Sequence, residues 1–455
     1  MNTGHQRVAA VAATLRLHPD PTSRATHNSR AGPMDSGGMG MKNKYGHQTI
    51  MKIHIPEFSL IFPIGAAGSG KSTLARKHFR TTEILSSDHC RAMISDDENN
   101  QSVSKDAFEI LYLIAEKRLG LARLTLADAT NTRDQARKPL LSLARKYHCP
   151  ATAIVLRFPE SICLGQNRKR ERVVPDHVIR QQMHHLELSL PELKKEGFER
   201  IFILETPEQA ENIQIYRNPL RSNKKNEHGP FDIISDVRGC FEELLALMKK
   251  LGYDVSDPDK AIPPKGRKAV FIGDMIGAGP GVPSVLRLVM GMRERGDAFC
   301  ILGDHEYRLR GKLMGKNIGL DDSLRRSVAQ LAGESQVFQE KVIRFLRNIF
   351  HHYVFDDGKL VVAHAGMSED MQGRVSAKVR QFALYGDKAP RDWAAAYSGR
   401  AAVVYGHKPV PEPRWLNRTI NIDTGCIFGE KLTALRYPEE EIVSVPSDQT
   451  RKSPF

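Results

Sequence analysis

The chain has 455 residues, long enough for about two or three domains, with 40% hydrophobic and 26% charged residues and a formal net charge of +14. No apolar run approaches the ~20 residues of a membrane span. The six cysteines (Cys90, Cys149, Cys163, Cys240, Cys300 and Cys426) contain no C-x-x-C pair, which argues against a disulfide frame or a zinc site and for reduced thiols in a cytoplasm. The positive surplus suits a polyanionic partner such as nucleic acid, or serves solubility alone.

Residues 1–50 carry Ser, Thr, Gly, Arg and His with few acids and no sustained periodicity. They are expected to be a disordered extension or a mis-called start, with translation beginning at Met51, Met34 or Met41; a transit peptide is the alternative.

The domain over 51–218 begins with an apolar run, Leu60 to Ile64, that passes into Gly65-Ala66-Ala67-Gly68-Ser69-Gly70-Lys71-Ser72-Thr73 and then a helix. The pattern G-x-x-x-x-G-K-S between strand and helix is a phosphate-binding loop. Gly65, Gly68 and Gly70 let backbone N–H groups face an anion together with Ser69 and Thr73. Lys71 reaches the β- and γ-phosphates, and the Ser72 hydroxyl ligates Mg²⁺. ATP with Mg²⁺ is therefore the expected cofactor.

Strands at Glu83–Ser86, Leu124–Ala127 and Ala151–Arg157 alternate with helices at Lys105–Leu119 and up to Tyr147. This predicts a parallel sheet with helices on both faces and chemistry at the carboxyl ends of its strands. Asp88 lies there, either as a general base for an acceptor hydroxyl or as a helix N-cap. Arg91, one turn on, either clamps a substrate phosphate or is solvated. Asp128 belongs to the Mg²⁺ shell or the substrate site. The basic run Asn167-Arg168-Lys169-Arg170-Glu171-Arg172 is either a solvated face or a lid whose arginines stabilise a transferring phosphoryl group.

Ser86-Ser87-Asp88-His89-Cys90-Arg91, Asp128-Ala129-Thr130-Asn131 and Arg145-Lys146-Tyr147-His148-Cys149 resemble the kinase module of the bacterial polynucleotide kinase–phosphatase RNA-repair family. The resemblance runs through most of residues 55–230. It implies ATP-dependent phosphorylation of a polynucleotide 5′-hydroxyl, with Asp88 as general base and Arg91 on the substrate side. Arg172, with Arg168 or Arg170, matches the lid.

A basic linker, 219–228, precedes a domain over 229–445 and a tail, 446–455. Its apolar strands end in Asp236, Asp274, Asp304-His305, His364 and His407, the usual construction of a two-metal phosphoesterase site. The order resembles the calcineurin-like metallophosphoesterases, an α/β sandwich. Through Asn421-Ile422-Asp423-Thr424-Gly425-Cys426 and Ala383-Leu384-Tyr385-Gly386-Asp387 it resembles the 2′,3′-phosphatase module of the same RNA-repair family.

That family carries D-x-H, G-D-x-x-D-R-G and G-N-H-[DE], with His305 at the catalytic position. Here Arg238 stands for the first His, Gly277 and Ala278 for the Asp and Arg, and Asp304 for the Asn. The resemblance implies one metal on Asp236, the missing His and Asp274, and a second on Asp274, Asp304, His364 and His407. A guanidinium cannot ligate a metal. The expectation is one bound Mn²⁺ or similar divalent cation at most, weak or absent phosphatase activity, and an Arg238–Asp304 ion pair.

No K-x-D-G adenylylation motif follows Lys431 to Tyr437, so the expectation is either a ligase on a separate polypeptide or a shortened, eroding copy of the family architecture. The leading reading is a kinase acting on RNA ends, fused to a degenerate phosphatase module. The alternatives are a small-molecule P-loop kinase, and a second domain serving as a non-catalytic RNA-end platform, with Arg238 binding phosphate, or as a dimerisation module.

Overall fold

Apolar runs of four to six residues, too short for core helices and bounded by glycine or polar residues, build the first half around a parallel sheet. The computed structural model describes residues 50–171, 173–257, 259–386 and 393–450. The expectations for residues 1–49, Arg172, Asp387 and 451–455 lie outside the described residues. The rest divides into two compact units, one up to Leu220 together with Arg374–Ser376, the other Arg221–Gly373 and from Ala377 onward.

In the first unit, five parallel strands stand in the order Ile84–Ser86, Thr125–Asp128, Leu60–Ile64, Ala151–Leu156, Arg200–Leu204. Successive side chains of a strand point to opposite faces. Leu60, Phe62 and Ile64 accordingly pack with Leu111, Ala115 and Leu119 of the Ser104–Gly120 helix. Ile61, Leu126 and Ile154 pack on the other face with Leu74, Ala75 and Ile179. The central strand thus delivers the glycine loop to the middle of the carboxyl edge. A separate parallel pair, Lys52–Pro56 with Gln214–Asn218, was not anticipated. Nor was the half-exposed edge strand Arg200–Leu204, whose single charged end and short apolar run resemble a loop margin.

The second unit is a sandwich. One sheet has the order Ala298–Cys300, Lys268–Phe271, Phe231–Ile234, Lys431–Tyr437, Glu441–Pro446. The other runs Trp415–Leu416, Thr419–Asn421, Ala402–Tyr405, Leu360–Ala363, His352–Phe355, Asn223–Lys224. Phe231, Ile233, Val270, Phe355, Val362, Val404 and Ile420 fill the apolar layer between the sheets. Ile234 and Phe271 face the opposite way, onto Leu244, Leu247, Val285 and Leu286 of flanking helices.

The expected linker is partly a structural element, since Asn223 and Lys224 pair in parallel with Val354 and Phe355. The start of the tail is likewise tied down. Ser447 Oγ donates to Glu243 Oε1 at 2.8 Å, and Gln449 Nε2 donates to the same oxygen at 2.9 Å. Among the described residues no helix is long and apolar enough to cross a membrane.

Candidate phosphate and metal sites

The loop after Leu60–Ile64 needs glycine for two separate reasons. Gly68 and Gly70 have φ of 78° and 85°, in the left-handed region. A Cβ on Gly68 would also meet the Cys163 carbonyl oxygen at 2.1 Å. Gly70 is the N-cap of the Lys71–His78 helix, so the helix N-terminus opens onto the loop. Lys71 Nζ donates to the carbonyls of Gly65 at 2.8 Å and Ala66 at 2.7 Å. Ser69 Oγ is buried without a hydrogen-bond partner.

Asp128 ends the neighbouring strand and accepts from the Ser72 hydroxyl; burial pushes its carboxyl up, while Ser72 and Lys71 pull it down. Burial pushes the Lys71 ammonium down to about 8, opposed by Asp128 and reinforced by Arg170. Ser72 and Asp128 are a hard oxygen pair fitting Mg²⁺, and the orphaned Ser69 hydroxyl faces the same loop where a phosphate chain would lie.

Asp88 is not the helix cap. Ser86 caps the Ser87–Ser95 helix by accepting from the His89 N–H, and Asp88 sits in its first turn. Its carboxylate pairs with Arg91, which is buried and also donates through Nε to the Glu98 carbonyl at 2.8 Å. Arg91 therefore holds Asp88 in place rather than facing outward.

In the lid segment Arg168 turns to Asp176, with Nη2 3.3 Å from the carboxylate. Arg168 follows one helix and Asp176 opens the next, so the carboxylate lies where a helix N-terminus favours negative charge. The Arg170 charge reaches Lys71. Thr73 is on the exposed side of its helix.

In the second unit every strand-end residue named from sequence converges. Asp274, Asp304, His364 and His407 bring one ligand atom each to within 4.8 Å of one another. His364 Nε2 lies 3.5 Å from Asp274 Oδ1, 3.5 Å from Asp304 Oδ1 and 3.1 Å from His407 Nδ1. His407 Nδ1 is 3.4 Å from Asp304 Oδ1. Two carboxylates and two imidazoles suit one divalent cation such as Mn²⁺.

The adjoining position is filled by protein. Arg238 Nη2 stands 3.0 Å from Asp274 Oδ2 and 3.7 Å from Asp236 Oδ1. The expected Arg238–Asp304 pair does not form, because Asp304 is engaged by the two imidazoles while Arg238 is held by Asp274. Gly277 matters here, since a Cβ on it would meet the Arg238 Cβ at 2.7 Å. Ala278 is packed into the helix-side core.

Electrostatics follow from these placements. Burial would discharge His364, but Asp274, Asp236 and Asp304 lift it to about 10. Burial also opposes ionisation of Asp304, yet the hydrogen bonds from His364 and His407 hold it far below the usual carboxylate range. Burial and Asp423 push Asp236 well up. Burial works against the Arg238 charge, and Asp274 with Asp236 more than offsets it. His305 Nε2 is 3.8 Å from Asp274 Oδ2.

Two further residues belong to this site. Asp423 is buried, with Oδ2 unpartnered and Oδ1 accepting from the Gly425 N–H at 3.0 Å. Glu306 is buried and accepts from the backbone N–H groups of Asp274, Ile276 and Gly303 at 2.8, 3.0 and 3.0 Å. Glu306 directly follows the strand-end Asp304-His305, and Asp423 stands in the Asn421–Cys426 motif picked out from the sequence.

A phosphate loop on a parallel sheet and a strand-end ligand cluster on a sandwich define a nucleotide-binding, kinase-like domain followed by a metallophosphoesterase domain. Residues 60–189 match an AAA domain and residues 229–440 match the calcineurin-like phosphoesterases. The chain belongs to the calcineurin-like phosphoesterase family through that second unit. It is 44% identical over 231 residues to an asymmetrical bis(5′-nucleosyl)-tetraphosphatase PrpE from Anoxybacillus flavithermus, covering 48% of this chain and 94% of that protein. The PrpE of Bacillus subtilis is 41% identical over 243 residues, 50% of this chain and 99% of that protein.

Proposed function

We propose that the chain carries two phosphate chemistries: an ATP–Mg²⁺-dependent polynucleotide 5′-hydroxyl kinase in residues 51–218, and a one-metal phosphoesterase in residues 229–445. The observation that carries the kinase half is the meeting of Lys71, Ser72 and Asp128 at the loop, with Asp88 one strand away and within electrostatic reach of Lys71. In that reading the acceptor oxygen bonds to the γ-phosphorus as the bond to the β,γ-bridging oxygen breaks. Asp88 takes the hydroxyl proton, and Lys71 with Arg170 stabilises the charge on the phosphoryl oxygens. Mg²⁺, held by Ser72 and Asp128, would neutralise charge on the phosphate chain.

For the second unit, the name shared by its close relatives favours a dinucleoside tetraphosphate as substrate over the 2′,3′-phosphate end that the RNA-repair resemblance suggests. Asp274, Asp304, His364 and His407 would hold the cation, which supplies Lewis acidity to a phosphoryl oxygen. A water oxygen bonds to the phosphorus as the bond to the leaving oxygen breaks; Arg238 orients Asp274 and contributes fixed positive charge, and His305 donates a proton to the leaving oxygen. RNA ends are the proposed partner of the kinase half.

The deciding assay follows γ-phosphate transfer from ATP to a 5′-hydroxyl RNA oligonucleotide. Mn²⁺-dependent hydrolysis of diadenosine tetraphosphate and of a 3′-phosphate end is measured on the same preparation. Lys71→Ala and Asp88→Asn should each abolish transfer and leave hydrolysis intact. Transfer to a nucleoside but not to RNA would replace the polynucleotide reading by a small-molecule kinase. Release of 3′-phosphate without tetraphosphate cleavage would reverse the second assignment.

A further inference from the structure

The Asp304–Leu313 helix begins at the ligand cluster and leads away from it. Asp304, Tyr307 and Arg310 are spaced three apart, so they follow one another along the same face. The Arg310 guanidinium carbon lies 5.3 Å from the Tyr307 ring centre. Arg380, from the Ala377–Tyr385 helix, lies 5.6 Å from the same ring. Beside them Arg221 stacks over Phe350 at 5.2 Å, and the Phe350 ring packs on His351 at 4.1 Å.

These guanidiniums are near enough to repel. Burial lowers the Arg310 pKa, and Arg380 and Arg221 lower it further. Their charges also add to the burial that keeps His351 neutral. Among the described residues no carboxylate is paired with Arg221, Arg310 or Arg380. Arg221 Nη2 donates to the Asn348 carbonyl at 2.8 Å, and Arg310 Nη1 reaches the Leu346 carbonyl at 3.5 Å. Other arginines of this unit are neutralised by acids. Arg308 on the same helix holds Asp321 at 2.5 Å, and Arg267 holds Asp232 at 2.8 Å. A stacked arginine at a core margin needs only one aromatic partner, whereas a convergence of like charges without acids leaves repulsion that an anion would relieve.

The patch is continuous with the cluster. The Tyr385 ring centre is 6.2 Å from that of His407, and the Tyr385 hydroxyl feels both Asp304 and Tyr307.

We propose that Arg221, Arg310 and Arg380, arranged on Phe350 and Tyr307, bind the phosphate chain of the substrate beyond the phosphorus attacked at the ligand cluster. The ligand class is a short linear polyphosphate, as in a dinucleoside polyphosphate. The inference rests on the phosphoesterase reading of residues 229–445 and deepens it. Guanidiniums give charge-assisted, forked hydrogen bonds to phosphate oxygens, and the Tyr307 ring offers an apolar face beside them.

The probe is inorganic tripolyphosphate, titrated calorimetrically without divalent metal into the full chain carrying Lys71→Ala, which silences the phosphate loop. Binding should weaken about tenfold in each of Arg310→Gln, Arg380→Gln and Arg221→Gln. It should hold in Arg295→Gln, whose guanidinium is already paired with Asp297. Arg221 is exposed, so its variant loses only the stack on Phe350 and the bond to the Asn348 carbonyl, with no core packing. The proposal is overturned by a parent that binds no tripolyphosphate, by variants that bind like the parent, or by an equal loss in Arg295→Gln. Mn²⁺-dependent hydrolysis of p-nitrophenyl phosphate by the parent tests the phosphoesterase reading separately. Tripolyphosphate binding with no hydrolysis would sink that reading and leave the anion site standing.

Discussion

Arg238 Nη2 stands 3.0 Å from Asp274 Oδ2, with the arginine side chain 15% exposed and the aspartate wholly buried. A fixed guanidinium thus occupies the side of Asp274 where a second cation would need an imidazole ligand. The same pair links stability to the site, because Arg238 lies within 3.0 Å of Asp274 and 3.7 Å of Asp236 and shares their compensation with His364.

Removing the guanidinium leaves the buried Asp274 and Asp236 with the His364 imidazolium, 3.5 and 3.8 Å away, as their compensation. Arg238→Ala should therefore destabilise the metal-free protein by roughly 3–5 kcal/mol. Mn²⁺ should restore more stability to this variant than it adds to the parent, since the freed carboxylates then accept the cation. Urea unfolding with and without Mn²⁺ reads both effects. An Arg238→Ala chain as stable as the parent, with no larger response to metal, would show that the pair is incidental.

Lys71 provides a proton signal. Its ammonium is depressed by burial from the ordinary 10.5 to about 8, so the unfolded chain holds this proton more tightly. Stability from this group accordingly rises with pH between those two values. A bound phosphate chain stabilises the charged form and lifts the value again. ATP binding should take up a fraction of a proton at about pH 8.5 and less at about pH 7.5. Calorimetry in two buffers of different ionisation enthalpy measures it. Uptake that does not grow with pH would point to another group.

The lid arginines should separate cleanly. Arg170→Gln should lower kcat for phosphoryl transfer by about 10²-fold or more, because Arg170 adds charge beside Lys71. Arg168→Gln loses only an exposed contact to Asp176 and should leave kcat within about twofold. Steady-state kinetics with RNA as acceptor decides it. The opposite order would mean that the segment rearranges when ATP binds.

The parts legible in the sequence were those whose chemistry is local. The phosphate loop announces itself because glycine, lysine and serine must stand at fixed offsets. The ligand cluster was legible because apolar strands ending in Asp or His deliver side chains to one sheet edge. What failed depended on non-local geometry. Arg238 was expected to meet Asp304, but which carboxylate it reaches is set by the strand order that puts Asp236 and Asp274 beside it. The Arg168–Asp176 contact depends in the same way on where the following helix begins, which a charge run does not show. Asn223 and Lys224 looked like linker because a two-residue edge strand has no pattern of its own.

Glu306 shows how the cluster is kept in register. Its carboxylate gathers the N–H groups of Gly303, Asp274 and Ile276, which ties the loop carrying Asp274 to the helix that opens with Asp304. Burial and Asp274 push its carboxyl up to about 8, against the pull of those N–H groups. In Glu306→Gln the amide keeps one acceptor oxygen and turns an NH₂ toward donors, leaving a buried N–H without a partner. The cost should be about 1–3 kcal/mol of stability. Mn²⁺ affinity should fall about 10–100-fold as Asp274 and Asp304 lose their relative placement. Unfolding and metal titration on one preparation distinguish the two effects. Lost stability with unchanged Mn²⁺ affinity would make Glu306 a packing residue, whereas loss of both makes it the residue that positions the ligands.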